Sequence, residues 1–474
     1  MFDFFNNDED NQSYEAYADR VVLHSKCRCE YDVHKAEYVT SVIETISENT
    51  EYKLDYIGRG SSAVVYKMRG TGAYDGWILK EYYPNYLTLP REHDGGGLIY
   101  KKLNNRDINK FYNSINISEE ILKRYKSLNV TMSVELYLFN TSLGMVLISP
   151  YAGGDSLDKV WPELRNVDHL SKIKNALSIC IGMLEDLMVY SLDDHCDSFD
   201  KAREKYNDYY NDKKELKAIA VGDCKESNYF FANTKHEDVI NSPDSHFLRC
   251  LDFDSCYYIS DIVSDIKRTI EDCLKNGVSI DYDDIYLDYK TFFNSTKEYY
   301  DKDHIKKVIY CIIDVALGKK ALSEDKLIEI VQTLDVCAII KVLYHLITND
   351  YLSISNLNEH KTFLEIDSSA SLSQYHIAFL LTQLFESCVE AQSVIANNEV
   401  NIISWHQVHS RICSIKEVID NPTSYYDNHY NISQYDKELL ENGIETTEEL
   451  INYSLKKFQQ IVHPGYIIES FFYE

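Results

Sequence analysis

The sequence predicts an α+β protein, with a small β-rich part near the N-terminus, a larger helical part after it, and helical extensions at both ends. Between Tyr52 and Tyr151 the apolar residues alternate with period two through short runs broken by glycine, the signature of paired strands. From Ile173 to Tyr190, and again from Leu322 onward, they recur every three or four residues, which is helical spacing. With 474 residues, 45% of them hydrophobic, the chain can bury the core of two or three domains. The implied organisation is an extension over 1–50, a main domain over 51–350 divided near 150, and a helical region over 351–474.

Composition narrows the functional classes. A formal charge of −28 disfavours nucleic acid or an anionic membrane as the main partner, because both would repel the surface. The 39 tyrosines and only 7 prolines point to polar insertions that still carry aromatics, expected near 191–216 and 255–302. The twelve cysteines are scattered without a C-x-x-C, and Cys27 and Cys29, flanked by His24 and His34, fit reduced thiols better than a zinc site. Neither a basic leader nor 18 uninterrupted apolar residues occurs, so no secretory signal and no membrane span are expected, and the cytoplasm is the expected location. The Asn, Tyr, Ile and Lys usage leaves a secreted bacterial effector acting in a host cytosol as the alternative.

In chain order, residues 1–50 carry an acidic tail and apolar positions from Val21 to Ile46 that suit one or two short helices. The run Y-I-G-R-G-S-S-A-V-V-Y-K then sets Gly58 and Gly60 on a turn between strands, where the lack of a Cβ lets backbone N–H groups approach a phosphate; an ordinary hairpin turn is the alternative. The next strand, W-I-L-K-E-Y-Y-P, ends its alternation on Lys80. Residues 106–128 read as a helix with Glu119 on its apolar face beside Glu120. Two strands, S-V-E-L-Y-L-F and G-M-V-L-I-S-P-Y, lead into A-G-G-D-S-L, which also reads as an interdomain linker. After the amphipathic stretch 173–190 and the first insertion, K-A-I-A-V delivers the loop V-G-D-C-K-E-S-N, Val221 to Asn228. A hairpin interrupted by a polar loop around 236–246 then ends in L-D-F-D, Leu251 to Asp254. Helices fill the remainder, the last opening on a capping box at Thr446 to Glu449.

The chemistry concentrates in that loop. An acid, a lysine and an amide within six residues, with a second acid on the next strand, suit phosphoryl transfer, which needs metal ligands, a cation and a group to orient the attacking hydroxyl. The octet resembles the catalytic loop of protein kinases, H-R-D-L-x-x-x-N, with Asp223 and Asn228 at the matching spacing and Asp252-Phe253 where that family has D-F-G. The resemblance spans residues 52–350 and implies a bilobal protein kinase-like fold binding ATP and Mg2+. Within it Gly58, Gly60 and Val65 correspond to the Gly-rich loop, with Ala63 replacing the third glycine, and Lys80 to the lysine on the α- and β-phosphates. Glu119, or else Glu120, would pair with that lysine; Ile148 takes the gatekeeper position, Tyr151 the hinge, and Asp155 the ribose. Asp223 and Lys225 would act in catalysis, and Asn228 and Asp252 on the metal. A helix beginning at Asp303 would brace the loop through its leading acid.

Departures from the family's pattern are Val221 for the histidine, Gly222 for the arginine, and no A-P-E, since no proline stands between Pro243 and Pro422. A divergent Ser/Thr protein kinase with an unidentified protein substrate is the leading expectation. A small-molecule kinase of the aminoglycoside or choline kinase type, to which Gly222-Asp223 and Asp252-Phe253-Asp254 lean, is the alternative, as is a pseudokinase scaffold. Insertions and extensions offer surfaces to a regulatory protein partner.

Overall fold

The computed structural model describes residues 53–59, 63–71, 74–82, 90–92, 98–100, 137–141, 144–149, 153–190, 218–232, 234–241, 248–252, 255–290, 298–353, 372–392 and 402–421, with positions 117, 120, 121, 151, 424 and 425. The expectations for 1–50, Gly60, Glu119, the insertion at 191–216, Phe253-Asp254 and the capping box at Thr446 lie outside these residues. Mixed α/β structure, mostly helical with small sheets, agrees with the α+β expectation. Two compact units divide between residues 152 and 153.

The first unit holds β1 (Lys53–Arg59), β2 (Ala63–Arg69), β3 (Ile78–Tyr82), β4 (Pro90–Glu92), β5 (Leu98–Tyr100), β6 (Tyr137–Thr141) and β7 (Gly144–Ser149). Five of them form an antiparallel sheet in the order β1-β2-β3-β7-β6, and β4 pairs with β5 alone. Tyr66 and Met68 are buried while the alternate residues Val65 and Lys67 are half-buried, as the period-two pattern requires. A bulge between Tyr56 and Gly58 shifts the β1–β2 register. Gly58 thereby stands opposite Val65, Val65 opposite Lys80, and Lys80 opposite Leu147. Directly opposed residues share a face of the sheet, so Gly58, Val65 and Lys80 lie in one cross-strand row.

The second unit is helical around two buried helices. Its elements are α1 (Leu157–Leu164), α2 (His169–Tyr190), β8 (Ile219–Ala220), a 3-10 turn (Glu226–Asn228), β9 (Tyr229–Phe231), α3 (His236–Asn241), β10 (Leu248–Cys250) and β11 (Tyr257–Tyr258). There follow α4 (Ile259–Lys275), α5 (Tyr282–Tyr289), α6 (Lys302–Ala316), α7 (Glu324–Thr348), α8 (Leu372–Gln392) and α9 (Trp405–Asp420). Helix α2 packs on α7 and α9, and from Leu327 to Ile347 nearly every residue of α7 is buried. Among the described residues α7 alone is long and apolar enough to cross a membrane, and 94% of its apolar window is buried inside the protein. Caps set the helix starts: Asp281 accepts from Asp283 N and Asp284 N, Asp301 from Asp303 N and His304 N, and Ser323 from Lys326 N.

Two stretches carry more structure than the sequence pattern announced. The polar loop around 236–246 contains helix α3, which starts on the acidic first-turn residues Glu237 and Asp238 that favour a helix N-terminus. The stretch after Ser255, for which no elements were expected, forms β11, α4 and α5, with Ile259, Ile262, Val263, Ile266 and Ile270 of α4 buried at helical spacing.

Candidate functional site

The loop from Val221 to Asn228 is held by its backbone before any of its side chains act. Strand β8 pairs antiparallel with β11, Ala220 opposite Tyr257, and the chain turns at Gly222, whose φ is 71°. A Cβ there would stand 2.7 Å from the Ser255 carbonyl oxygen, so this position accepts only glycine. Val221 N donates to Asp335 Oδ2 at 2.7 Å and Gly222 N to Asp335 Oδ1 at 3.0 Å. The Tyr300 hydroxyl donates to Asp335 Oδ1 at 2.7 Å and accepts from Cys224 N at 3.0 Å. Asp335 lies in the middle of α7, 1% exposed. Burial pushes its carboxyl above the usual range, and the bonds from Tyr300, Val221 N and Gly222 N pull it back.

This corrects the bracing acid expected at Asp303. Asp303 is exposed in the first turn of α6, its N–H capped by Asp301, while the acid under the loop is Asp335 one helix later. A carboxylate inside the apolar run L-D-V-C was the available signal, because a buried acid needs several donors to be tolerated.

On this frame the side chains converge. Lys225 Nζ lies 2.7 Å from Asp223 Oδ2, and Asn228 Nδ2 donates to both the Asp223 carbonyl and Asp223 Oδ2 at 2.9 Å. Asp223 and Asn228 are 8% and 5% exposed, so the three groups form a compact polar centre on a buried floor. Asn228 Oδ1 takes no hydrogen bond among the described residues, which leaves an oxygen for a cation. The hairpin brings the second acid alongside: Cys250 pairs with Tyr229, and Leu251 N donates to Asn228 O at 3.0 Å, one residue before Asp252. Asp252 is half-buried.

Strand β10 is itself anchored from beneath. Cys250 N donates to Asp186 Oδ2 at 3.0 Å, and the Arg249 Nε lies 4.0 Å from Asp186 Oδ1, with both side chains no more than 1% exposed. Neither Asp186 nor Arg249 was expected in this role. Next to Asp186 on α2, Glu185 meets His409 of α9 at 3.6 Å.

Asp155, expected at the ribose, accepts from His236 Nδ1 at 3.0 Å, while His236 Nε2 lies 3.0 Å from Glu163. The bonds to Glu163 and then Asp155 raise the His236 imidazolium above its ordinary range. Gly153 and Gly154 before it have φ of 71° and 77°, and a Cβ on Gly154 would overlap the Phe231 carbonyl. In the first unit the Lys67 ammonium lies 4.0 Å over the ring of Tyr151, and Ile148 stands opposite Leu79, one place off the row that carries Lys80. Glu120, the alternative to Glu119, is helical and half-buried.

Among the described residues no three His, Cys, Asp or Glu side chains gather as a metal site. Asn228 and Asp252 are two hard-oxygen donors, a set that suits Mg2+, which keeps several waters and takes the rest of its shell from substrate phosphates. No protein-family model matches the sequence, and no curated protein matches it significantly.

Proposed function

We propose that the chain is an ATP-dependent phosphotransferase of the protein kinase-like kind, transferring the γ-phosphoryl group of Mg-ATP to a hydroxyl, with a Ser/Thr protein kinase as its leading form. The observation that carries this is the polar centre on the braced loop, in which Lys225 Nζ and Asn228 Nδ2 both reach Asp223 Oδ2 within 2.9 Å. The row Gly58, Val65 and Lys80 supports the nucleotide half of the assignment, and a Cβ on Gly58 would meet nothing within 4 Å, so its glycine answers no packing need of the sheet.

Mg-ATP supplies the electrophilic phosphoryl group. Asp223 orients the attacking hydroxyl and takes its proton as the new O–P bond forms and the bond to ADP breaks. Lys225, already beside that carboxylate, would offer a positive charge to the transferring group, Asn228 and Asp252 would be the residues to hold the metal, and Lys80 the one to hold the phosphates.

The test is a radiolabelled γ-phosphate assay with generic protein substrates beside a panel of small alcohols, which separates a protein kinase from a small-molecule kinase. Asp223→Asn should lose on the order of 100- to 10,000-fold in turnover while keeping its thermal shift with Mg-ATP. Lys80→Ala or Asp252→Ala should lose the thermal shift, the turnover, or both. Wild-type behaviour of all three variants places the site elsewhere, and no transfer with any acceptor leaves the scaffold reading.

A further inference from the structure

Two adjacent tyrosines hold the loop. The Tyr300 hydroxyl bridges Cys224 N and Asp335 Oδ1, and the Tyr299 hydroxyl donates to both oxygens of Glu226, at 2.6 and 2.8 Å. The two contacts fall on either side of Lys225, and both rings are buried, 3% and 4% exposed. Tyr299 is fixed in turn by its neighbours, with the Tyr351 ring edge-on at 5.8 Å and His345, stacked on Tyr351 at 4.8 Å, 4.0 Å from Glu226 Oε1.

The N–H groups of Val221, Gly222 and Cys224 thus all end on one carboxylate and one phenol. Asp335 can reach only the first two. The N–H next to Asp223 on its C-terminal side depends on the Tyr300 hydroxyl, and a buried N–H without an acceptor favours a different backbone conformation.

We propose that Tyr299 and Tyr300 form a clasp that positions the loop on both sides of Lys225, with Tyr300 setting the aim of Asp223 without touching the reacting groups. This rests on the phosphotransferase assignment above for its catalytic consequence and on the hydrogen bonds alone for its structural one. It makes Tyr299 and Tyr300 a positioning device for the loop.

Two readouts test it on the full chain. Tyr300→Phe keeps the ring and deletes the hydroxyl, and Tyr299→Phe does the same for the Glu226 contact. Amide exchange followed by mass spectrometry should quicken by about tenfold or more in peptides covering 221–226, the equivalent of one lost hydrogen bond, while α2 and α7 keep wild-type rates. Unchanged loop exchange overturns the clasp, and so does a rise spread over α2 and α7, since the hydroxyl would then serve the whole fold. In turnover, Tyr300→Phe should lower kcat about tenfold with KM for Mg-ATP unchanged, and should cost nothing further in an Asp223→Asn background, because residues that act as a unit are not additive. An additive loss, or a rise in KM with kcat preserved, also overturns it. If the wild-type chain transfers no phosphate, the phosphotransferase assignment fails while loop exchange still decides for or against the clasp.

Discussion

Asp335 shows how much one side chain can carry. It is nearly fully buried and receives three hydrogen bonds from the loop and its clasp, so ionisation is tolerated only because those donors replace water. Asp335→Asn puts an amide N–H against one of the backbone donors, and should cost about 2–4 kcal/mol in denaturant unfolding and, if the proposed function holds, most of the turnover. A variant with wild-type stability means that the loop holds itself. Gly222→Ala meets a different obstacle, a positive φ and the Ser255 carbonyl at 2.7 Å, and should cost on the order of 2 kcal/mol or more by the same measurement.

At the scale of elements, two buried histidines give opposite dependences on pH. Burial alone would lower His409, but hydrogen bonds to Cys413 and Glu185, and the Glu185 charge, outweigh it and hold the imidazolium up to about 9. A folded pKa above the unfolded value of about 6.5 adds stability that is complete below 6.5 and is lost as pH rises towards 9. His304, at the start of α6, behaves in reverse: burial pulls it down to about 4, so its contribution is complete above 6.5 and is lost as pH falls towards 4. Each shift corresponds to roughly 3 kcal/mol. Thermal unfolding across pH 4–9 should therefore show the α2–α9 pairing weaken on the alkaline side, and His409→Gln should flatten that limb alone. His304→Leu should flatten the acid limb. A His409→Gln profile parallel to wild type at pH 7–9 would mean that the pair titrates together with other groups and carries no window of its own.

For the molecule as a whole, the proposed activity raises the question of what would switch it on. Residues 255–290 are already folded as β11, α4 and α5, and β11 is zipped to β8 immediately before the loop from Val221 to Asn228. Arg249 is buried, with its Nε 4.0 Å from Asp186 Oδ1. A phosphate added to this stretch would also meet Asp261, Asp265, Glu271 and Asp272 of α4, where like charge repels it. Activity is therefore expected to be intrinsic or set by a bound partner. Protein stripped by a phosphatase, verified by mass spectrometry and assayed from the first seconds should show no lag. A lag that vanishes on pre-incubation with ATP, in step with phosphate on 255–300, sinks this expectation.

Much of the molecule is legible from local pattern, because local pattern is what short-range physics sets. The period-two runs mark β1, β2, β3 and β7, the three-and-four spacing marks α2 and α7, and the close sequence spacing of Asp223, Lys225 and Asn228 suffices to bring them within hydrogen-bonding reach. What acts across long sequence separations is not legible in this way. Asp335 lies 113 residues from Gly222, Tyr300 lies 76 from Cys224, and Asp186 lies 64 from Cys250. Each is an ordinary residue on its own helix or turn until folding buries it beside an unsatisfied backbone N–H. That choice belongs to packing, since only the assembled core determines which donors lose water and which acceptor stands close enough to replace it.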